Sequence, residues 1–367
     1  MKTALTVLLF IAFATAVPAD ILVLKGEENT FTLYGFAKFD ATYQDHAMNS
    51  WVAPRYPKYD TPENDVSSTN LTAMNSRFGF KWTGPVLASG TRVSGGFEFD
   101  IYDGTSRNQM KLRTRLAFLE LKGAFYSLIA GQHWDLFGAG LPKTLLSNGF
   151  YWETGNTGFR RAQVRYTRLL GETQDLAVSV GDPTTDASIL SDMPVVQTRY
   201  GVKWGSDQKS GLGLFAAYCR EKVESQTLPI EGAGLDFSFA ITPVFTIMGE
   251  VATGKNLKIF LTRAGYFKKE GGAWEAQKVT AGWVEGVYSG AVLDVYAGYA
   301  EERYPDPVPA GTLPDSSAIF GGLIHKLGKG VTYGVEFTQF SGDYQLWPSG
   351  KTKAVANQVD LAICYTF

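Results

Sequence analysis

The last nine residues constrain this chain more than any other stretch. Val359, Leu361, Ile363, Tyr365 and Phe367 alternate with Asp360, Ala362, Cys364 and Thr366. That is a period-two strand with one apolar face and one small or polar face. It ends on an aromatic residue, with nothing after it in the sequence to cover the apolar side. The same alternation recurs through most of the chain, with aromatics near the strand ends and almost no helical periodicity. An apolar face without a second sheet is best covered by lipid, where only closed structures satisfy a strand's main chain.

Length and composition agree with that reading. The chain has 367 residues, enough for two soluble domains. One barrel also absorbs this length, because a membrane strand with its turns takes roughly 20–25 residues. Apolar residues make up 45%, charged residues 19% and aromatics 14%. No run of about 18 uninterrupted apolar residues exists, so no transmembrane helix is expected. The formal net charge of -2 gives no basic excess for binding nucleic acid.

Residues 1–19 read as a secretory signal peptide. Lys2 supplies the positive end, 4–14 form a short apolar run, and Val17-Pro18-Ala19 precedes a cleavage point at Asp20. Ala14-Thr15-Ala16 offers a second site, and no cysteine follows to carry a lipid. Cys219 and Cys364, far apart in strand order, are read as free thiols. The histidines, His46, His133 and His325, lack metal-ligand spacing, and no nucleophile motif accompanies them. No enzyme, cofactor or metal site is therefore expected.

Taken in order, a polar lead-in spans 20–31 and a barrel domain spans 32–367. Alternating strands are expected at 33–43, 77–82, 92–101, 111–118 and 126–132. After a break they resume at 161–167, 175–180, 196–204, 211–219, 234–240 and 245–251. The last five are 278–287, 292–300, 318–326, 331–338 and 359–367. In 111–118 the alternation sets Lys111, Arg113 and Arg115 against Leu112, Leu116 and Phe118. The fold class is an all-β transmembrane antiparallel barrel of about sixteen strands. Both chain ends on the periplasmic side require an even number, so 253–274 is assigned to a long external loop. Residues 46–74 also read as a surface loop. Turns at 289–290 and 328–330 fit the periplasmic side, and 305–314 and 341–353 fit the outer side.

The break at 133–159 has no sustained period. Gly138, Gly140, Pro142, Gly149, Gly155 and Gly158 punctuate it, and a structureless run of this length is uncommon unless it is functional. It is expected to fold inward as a constriction loop, with Trp134, Asp135, Phe137, Lys143 and Glu153 as its working residues. Leu136, Leu141, Leu145 and Leu146 would help Phe137 pack it against the wall or a neighbouring subunit.

Taken together, the leader, the sixteen strands, the long third loop and the terminal Tyr365-Thr366-Phe367 resemble a Gram-negative trimeric porin. Tyr34-Gly35-Phe36-Ala37-Lys38-Phe39-Asp40 is similar to the DcaP-like porins. So are Gly131-Gln132-His133-Trp134-Asp135-Leu136-Phe137 and Arg161-Ala162-Gln163-Val164-Arg165-Tyr166. The resemblance implies a homotrimer in the outer membrane, in contact with lipid and lipopolysaccharide, that passes small solutes, carboxylates among them. The lead-in is too short for the N-terminal coiled coil that some members carry, and the third loop holds Lys143 and few acids.

The charges sharpen the expectation. A cation facing lipid at the midplane costs roughly 2–4 kcal/mol, so charged strand positions are assigned to the lumen. That gives a basic wall of Arg77, Lys81, Arg92, Arg113, Arg115, Arg161, Arg165 and Arg199, with Lys111 and Lys203 beside it and Glu98 and Asp100 as exceptions. Asp236, Glu250, Asp294, Glu336 and Asp360 form an acidic wall. A field between the two would attract anions to the basic arc. Tyr365 and Phe367 are expected to be the assembly signal, on the strand that pairs with 33–43 to close the edge. The expected function is passive diffusion of small hydrophilic solutes, anions such as small carboxylates foremost. A non-selective or sugar-specific porin and a structural or adhesive barrel stay open as alternatives.

Overall fold

The computed structural model describes residues 21–26, 28–102, 111–145, 150–184, 189–205, 208–269, 271–305, 315–345 and 351–367. The expected leader at 1–19 lies outside them, as do Leu146 and Gly149 of the long loop. A short strand β1 (Ile21–Lys25) precedes β2 (Thr30–Gln44), β3 (Ser68–Thr72), β4 (Arg77–Val86) and β5 (Arg92–Asp100). Then come β6 (Arg113–Lys122), β7 (Tyr126–Trp134), β8 (Arg160–Leu169), β9 (Gln174–Gly181) and β10 (Val195–Trp204). β11 (Ser210–Val223), β12 (Gln226–Thr242) and β13 (Phe245–Lys255) lead to a 3-10 turn at Leu257–Phe260 and a small hairpin of β14 (Tyr266–Lys268) and β15 (Trp274–Ala276). β16 (Lys278–Ser289), β17 (Leu293–Arg303), β18 (Asp315–Gly328), β19 (Val331–Gln345) and β20 (Lys351–Thr366) complete the chain.

Sequential antiparallel pairing runs around the wall, and β20 returns to β2 to close it, from Phe36↔Thr366 to Gln44↔Gln358. β3 and β4 both pair with β2 and act as one interrupted strand, so the barrel has sixteen positions. The hairpin of β14 and β15 stands outside the wall as its own sheet, so the loop between β13 and β16 adds no seventeenth position. No helix is long and apolar enough to cross a membrane; a barrel crosses with its strands.

Closure explains the last residue. Phe367 exchanges two main-chain hydrogen bonds with Gly35, each 3.0 Å. Gly35 has φ +157°, and a Cβ there would collide with the Arg77 carbonyl. β1 pairs with the lower part of β2, so the lead-in is ordered as a strand. The alternation sorts the faces as expected. Leu361 and Ile363 are about half exposed, at 52% and 51%, while Ala362 between them is 8% exposed and Asp360 before them 1%.

One strand departs from the expected alternation. Between Glu98↔Leu116 and Phe99↔Thr114 the register shifts, leaving Arg115 as an extra residue. This bulge turns Leu116 and Phe118 to the lumen side, where the Phe118 ring meets His133 at 4.7 Å. The sequence had set both residues on the lipid face. Period two cannot register a bulge, because it carries no mark of the partner strand.

Candidate functional site

Residues 135–145 leave the end of β7 and cross the lumen, and 150–159 return to β8. Their root is pinned by charge. Arg161 donates to both oxygens of Asp135, at 2.5 and 2.8 Å, with neither side chain exposed. Gln197 donates to Asp135 at 2.8 Å, and its carbonyl oxygen accepts from the Leu136 and Phe137 amides at 3.0 and 2.9 Å. Asp135 and Phe159 bridge the two limbs through the Asp135 amide at 2.8 Å and the Phe159 amide at 3.1 Å.

Beyond the root, wall carboxylates hold the loop's main chain. Glu250 accepts from the Gly140 amide at 2.9 Å and the Thr157 hydroxyl at 2.7 Å. Glu285 accepts from the Lys143 amide at 2.7 Å, and the Lys143 ammonium reaches Asp294 at 2.7 Å. Glu336 accepts from the Leu145 amide at 2.6 Å and from the Tyr151 and Tyr296 hydroxyls. Burial, then the neighbouring Glu336 carboxylate, pushes the Tyr151 hydroxyl well above its usual range, so it stays a donor. Lys38 donates to the Leu145 carbonyl. At Gly155, φ +140°, the loop lies directly on the backbone of β16 and β17, where a Cβ would meet Gly282 and Glu301.

A second loop seals this arrangement from the outer side. In the 3-10 turn, Leu257, Ile259 and Phe260 are fully buried, and Phe260 stacks on Phe137 at 4.4 Å. The Gly158 amide donates to the Phe260 carbonyl at 2.8 Å, the Glu153 amide to Leu261 at 3.0 Å, and Arg161 to Ile259 at 2.9 Å. Glu153 also pairs with Arg55, and its carbonyl accepts from Arg263 at 3.2 Å. Burial opposes the charge of Arg263, but Tyr304, Glu302 and Glu153 around it hold its pKa above the ordinary value.

The structure therefore gathers the expected site residues into three groups. Of the acids, Glu250, Asp294 and Glu336 lie under the loop and serve it. Asp360 is held in the wall by Thr42 and Gln358 at 2.5 and 2.6 Å, and Asp236 pairs with Arg199 at 2.7 Å. The acids thus differ from an open wall facing the pore, because the loop's unpaired amides and neighbouring side chains occupy them. Phe137 packs in an apolar cluster with Phe215 and Phe260, Lys143 is tied to the wall, and Trp134 lies beneath Arg115 and Arg160.

On the side the loop leaves free, the arginines cluster. Arg115, 1% exposed, bridges Glu98 at 2.7 Å and Asp100 at 2.9 Å. Arg113 pairs with Asp100 at 2.6 Å and Arg77 approaches Glu98 at 3.7 Å. Arg165 donates to Nδ1 of His133 at 2.7 Å, and Lys81 lies over the Tyr34 ring at 4.6 Å. Arg161 sits in the loop root, and exposed Arg92 faces Lys122 across the ladder, apart from the cluster. Two participants escaped the sequence reading. Glu285 lies on an expected strand but was not among the charges singled out. Arg160 precedes the expected strand start, and a period-two reading that selects Arg161 passes over its neighbour.

The profile of the Gram-negative porin family matches residues 4–345. Among solved structures, the outer membrane channel DcaP of Acinetobacter baumannii superposes with a TM-score of 0.79 at 20% identity, covering 95% of this chain and 100% of that one. An anion-selective porin from Comamonas acidovorans gives 0.63 at 16% identity, over 93% and 100%. The trimer form of Vibrio cholerae OmpT gives 0.60 at 14%, over 93% and 100%. No curated protein matches. A profile that spans nearly the whole chain, on a closed sixteen-position barrel with an inward loop, makes this chain a member of the Gram-negative porin family, a channel of the outer membrane.

Proposed function

We propose that the channel passes small hydrophilic solutes by passive diffusion and prefers anions, small carboxylates among them. The observation that supports this is the loop's choice of wall. It covers Glu250, Glu285 and Glu336 and leaves the arc of Arg77, Arg113, Arg115 and Arg165 beside the free lumen. Guanidinium groups there stay charged at physiological pH and offer paired donors to a carboxylate. Binding must be weak for solutes to leave again. The likeness to an anion-selective porin supports the preference, and the trimeric neighbour supports a homotrimer, whose outer surface would meet lipid and lipopolysaccharide. Residues 1–19 would serve as the export signal, and Tyr365 with Phe367 as the assembly signal.

The test is the reversal potential across a planar bilayer under a salt gradient. The wild-type pore should favour anions, and Arg113→Glu combined with Arg165→Glu should move it toward cations. The preference should fade with salt, since the Debye length falls from about 10 Å at 0.1 M to about 3 Å at 1 M. A cation-preferring wild type, or an unshifted double variant, would rule out this basic arc as the source of selectivity.

A further inference from the structure

One amide on the outer face of the wall takes over where the ladder stops. β6 pairs with β7 only from Lys122↔Ser127 up to Ala117↔Gln132. Above that pair no ladder joins the two strands among the described residues, and the bulge at Arg115 lies in this gap. A side chain closes the Thr114 and Arg115 carbonyls instead. Gln132 donates from its amide nitrogen to both, at 2.9 and 3.0 Å. A carboxamide nitrogen has two donors, and here each has its carbonyl.

Gln132 stands on the side of the wall away from the lumen. It alternates with Gly131 and His133 and shares its face with Ala130, whose neighbours across the ladders are the exposed Leu119 and Val164. That face is apolar, and a polar side chain is stable there only when its hydrogen bonds stay within the protein. The lumen side of the same gap carries charge. Arg115, the extra residue of the bulge, is 1% exposed and bridges Glu98 at 2.7 Å and Asp100 at 2.9 Å. A bulge re-aims a side chain in this way. Without Arg115 in that place, two lumen acids lose the cation they share.

We propose that Gln132 is a positioning residue for the pore's selectivity. By holding the two bulge carbonyls it keeps the Arg115 guanidinium between Glu98 and Asp100, and so sets the charge that a passing ion meets. This rests on reading the lumen as an anion path. Gln132 touches no solute; it acts through Arg115, from the opposite face of the wall. The same device recurs one strand on. Gln163 of β8 donates to the His133 and Trp134 carbonyls, both at 2.9 Å, where β7 leaves the wall.

The test is a double-mutant cycle of Gln132→Leu and Arg115→Gln, read as reversal potential in planar bilayers under a salt gradient. One uncompensated charge about 6 Å from the ion path changes each ion's occupancy about threefold, in opposite directions. Arg115→Gln should therefore lower the anion-to-cation permeability ratio about tenfold. Gln132→Leu should produce most of that shift with Arg115 still present, and should add nothing in the Arg115→Gln background. Leucine suits the outer face and the ladders remain, so heat-modifiable protein in the membrane should match wild type. An unchanged ratio in Gln132→Leu, or a shift that adds in full to that of Arg115→Gln, overturns the proposal. Should Gln132→Leu fail to insert, Gln132→Asn keeps the amide but is one methylene too short to reach both carbonyls. A wild-type ratio in that variant is equally fatal. A wild-type pore that prefers cations would sink the selectivity reading alone. The positioning role would then stand or fall on whether both single variants move the reversal potential together.

Discussion

The two sides of the lumen use their charges for different ends. On the side of β13, β16 and β19, Glu250, Glu285 and Glu336 accept hydrogen bonds from the amides of Gly140, Lys143 and Leu145. On the side of β4, β6 and β8, Arg77, Arg113 and Arg115 pair with Glu98 and Asp100 on the intervening strand, and Arg165 with His133. The difference follows from hydrogen-bond type. An irregular loop presents amide donors that no helix or sheet satisfies, and buried donors need acceptors. A carboxylate only accepts, so the acids take these amides, while the cations Lys38 and Arg263 donate to the loop carbonyls of Leu145 and Glu153. One wall is a cradle and the other a surface.

That contrast depends on a closed wall, and reopening it has the largest expected effect. Deleting Phe367 removes the residue that pairs with Gly35 where β20 meets β2. Folded, heat-modifiable protein in the membrane should fall by roughly an order of magnitude, since an unpaired edge stays open. Wild-type yields from the deletion would show that β1 and the remaining residues of β20 suffice for closure.

Removing the cradle comes next. Glu250→Ala with Glu336→Ala leaves the Gly140 and Leu145 amides without their acceptors, at about 1–3 kcal/mol for each buried donor. The barrel should still insert, because its ladders are untouched. Single-channel conductance should rise as the loop leaves the wall, and limited proteolysis should cut within the loop. Conductance equal to wild type would assign the loop's position to its root and to Phe260.

The finest division lies within the cradle itself. Tyr151→Phe deletes one of several donors to Glu336, which keeps Leu145 and Tyr296. The expected loss is about 1 kcal/mol in denaturation, with conductance close to wild type. A change in conductance as large as that of the double alanine variant would make this one hydroxyl the main fastening.

Much of the wall could be read from the chain alone, because alternation is a local signal. Val359 through Phe367 show which side chains meet lipid, the strand count follows from the turns, and an even total leaves no extra wall strand within 253–274. The break at 133–159 was visible as a loss of period. What alternation could not carry was partnership. Arg115 looks like any other lumen arginine until β5 is placed beside it and the bulge turns Phe118 inward. Glu250 and Glu336 looked like pore-lining charges, and only the loop's arrival from more than a hundred positions away makes them its acceptors. Where a strand is regular, the sequence by itself determined which residues face lipid, because each side chain's face depends on its own position in the strand. The tertiary structure alone decided which charges are free, because pairing depends on what a distant segment brings within reach.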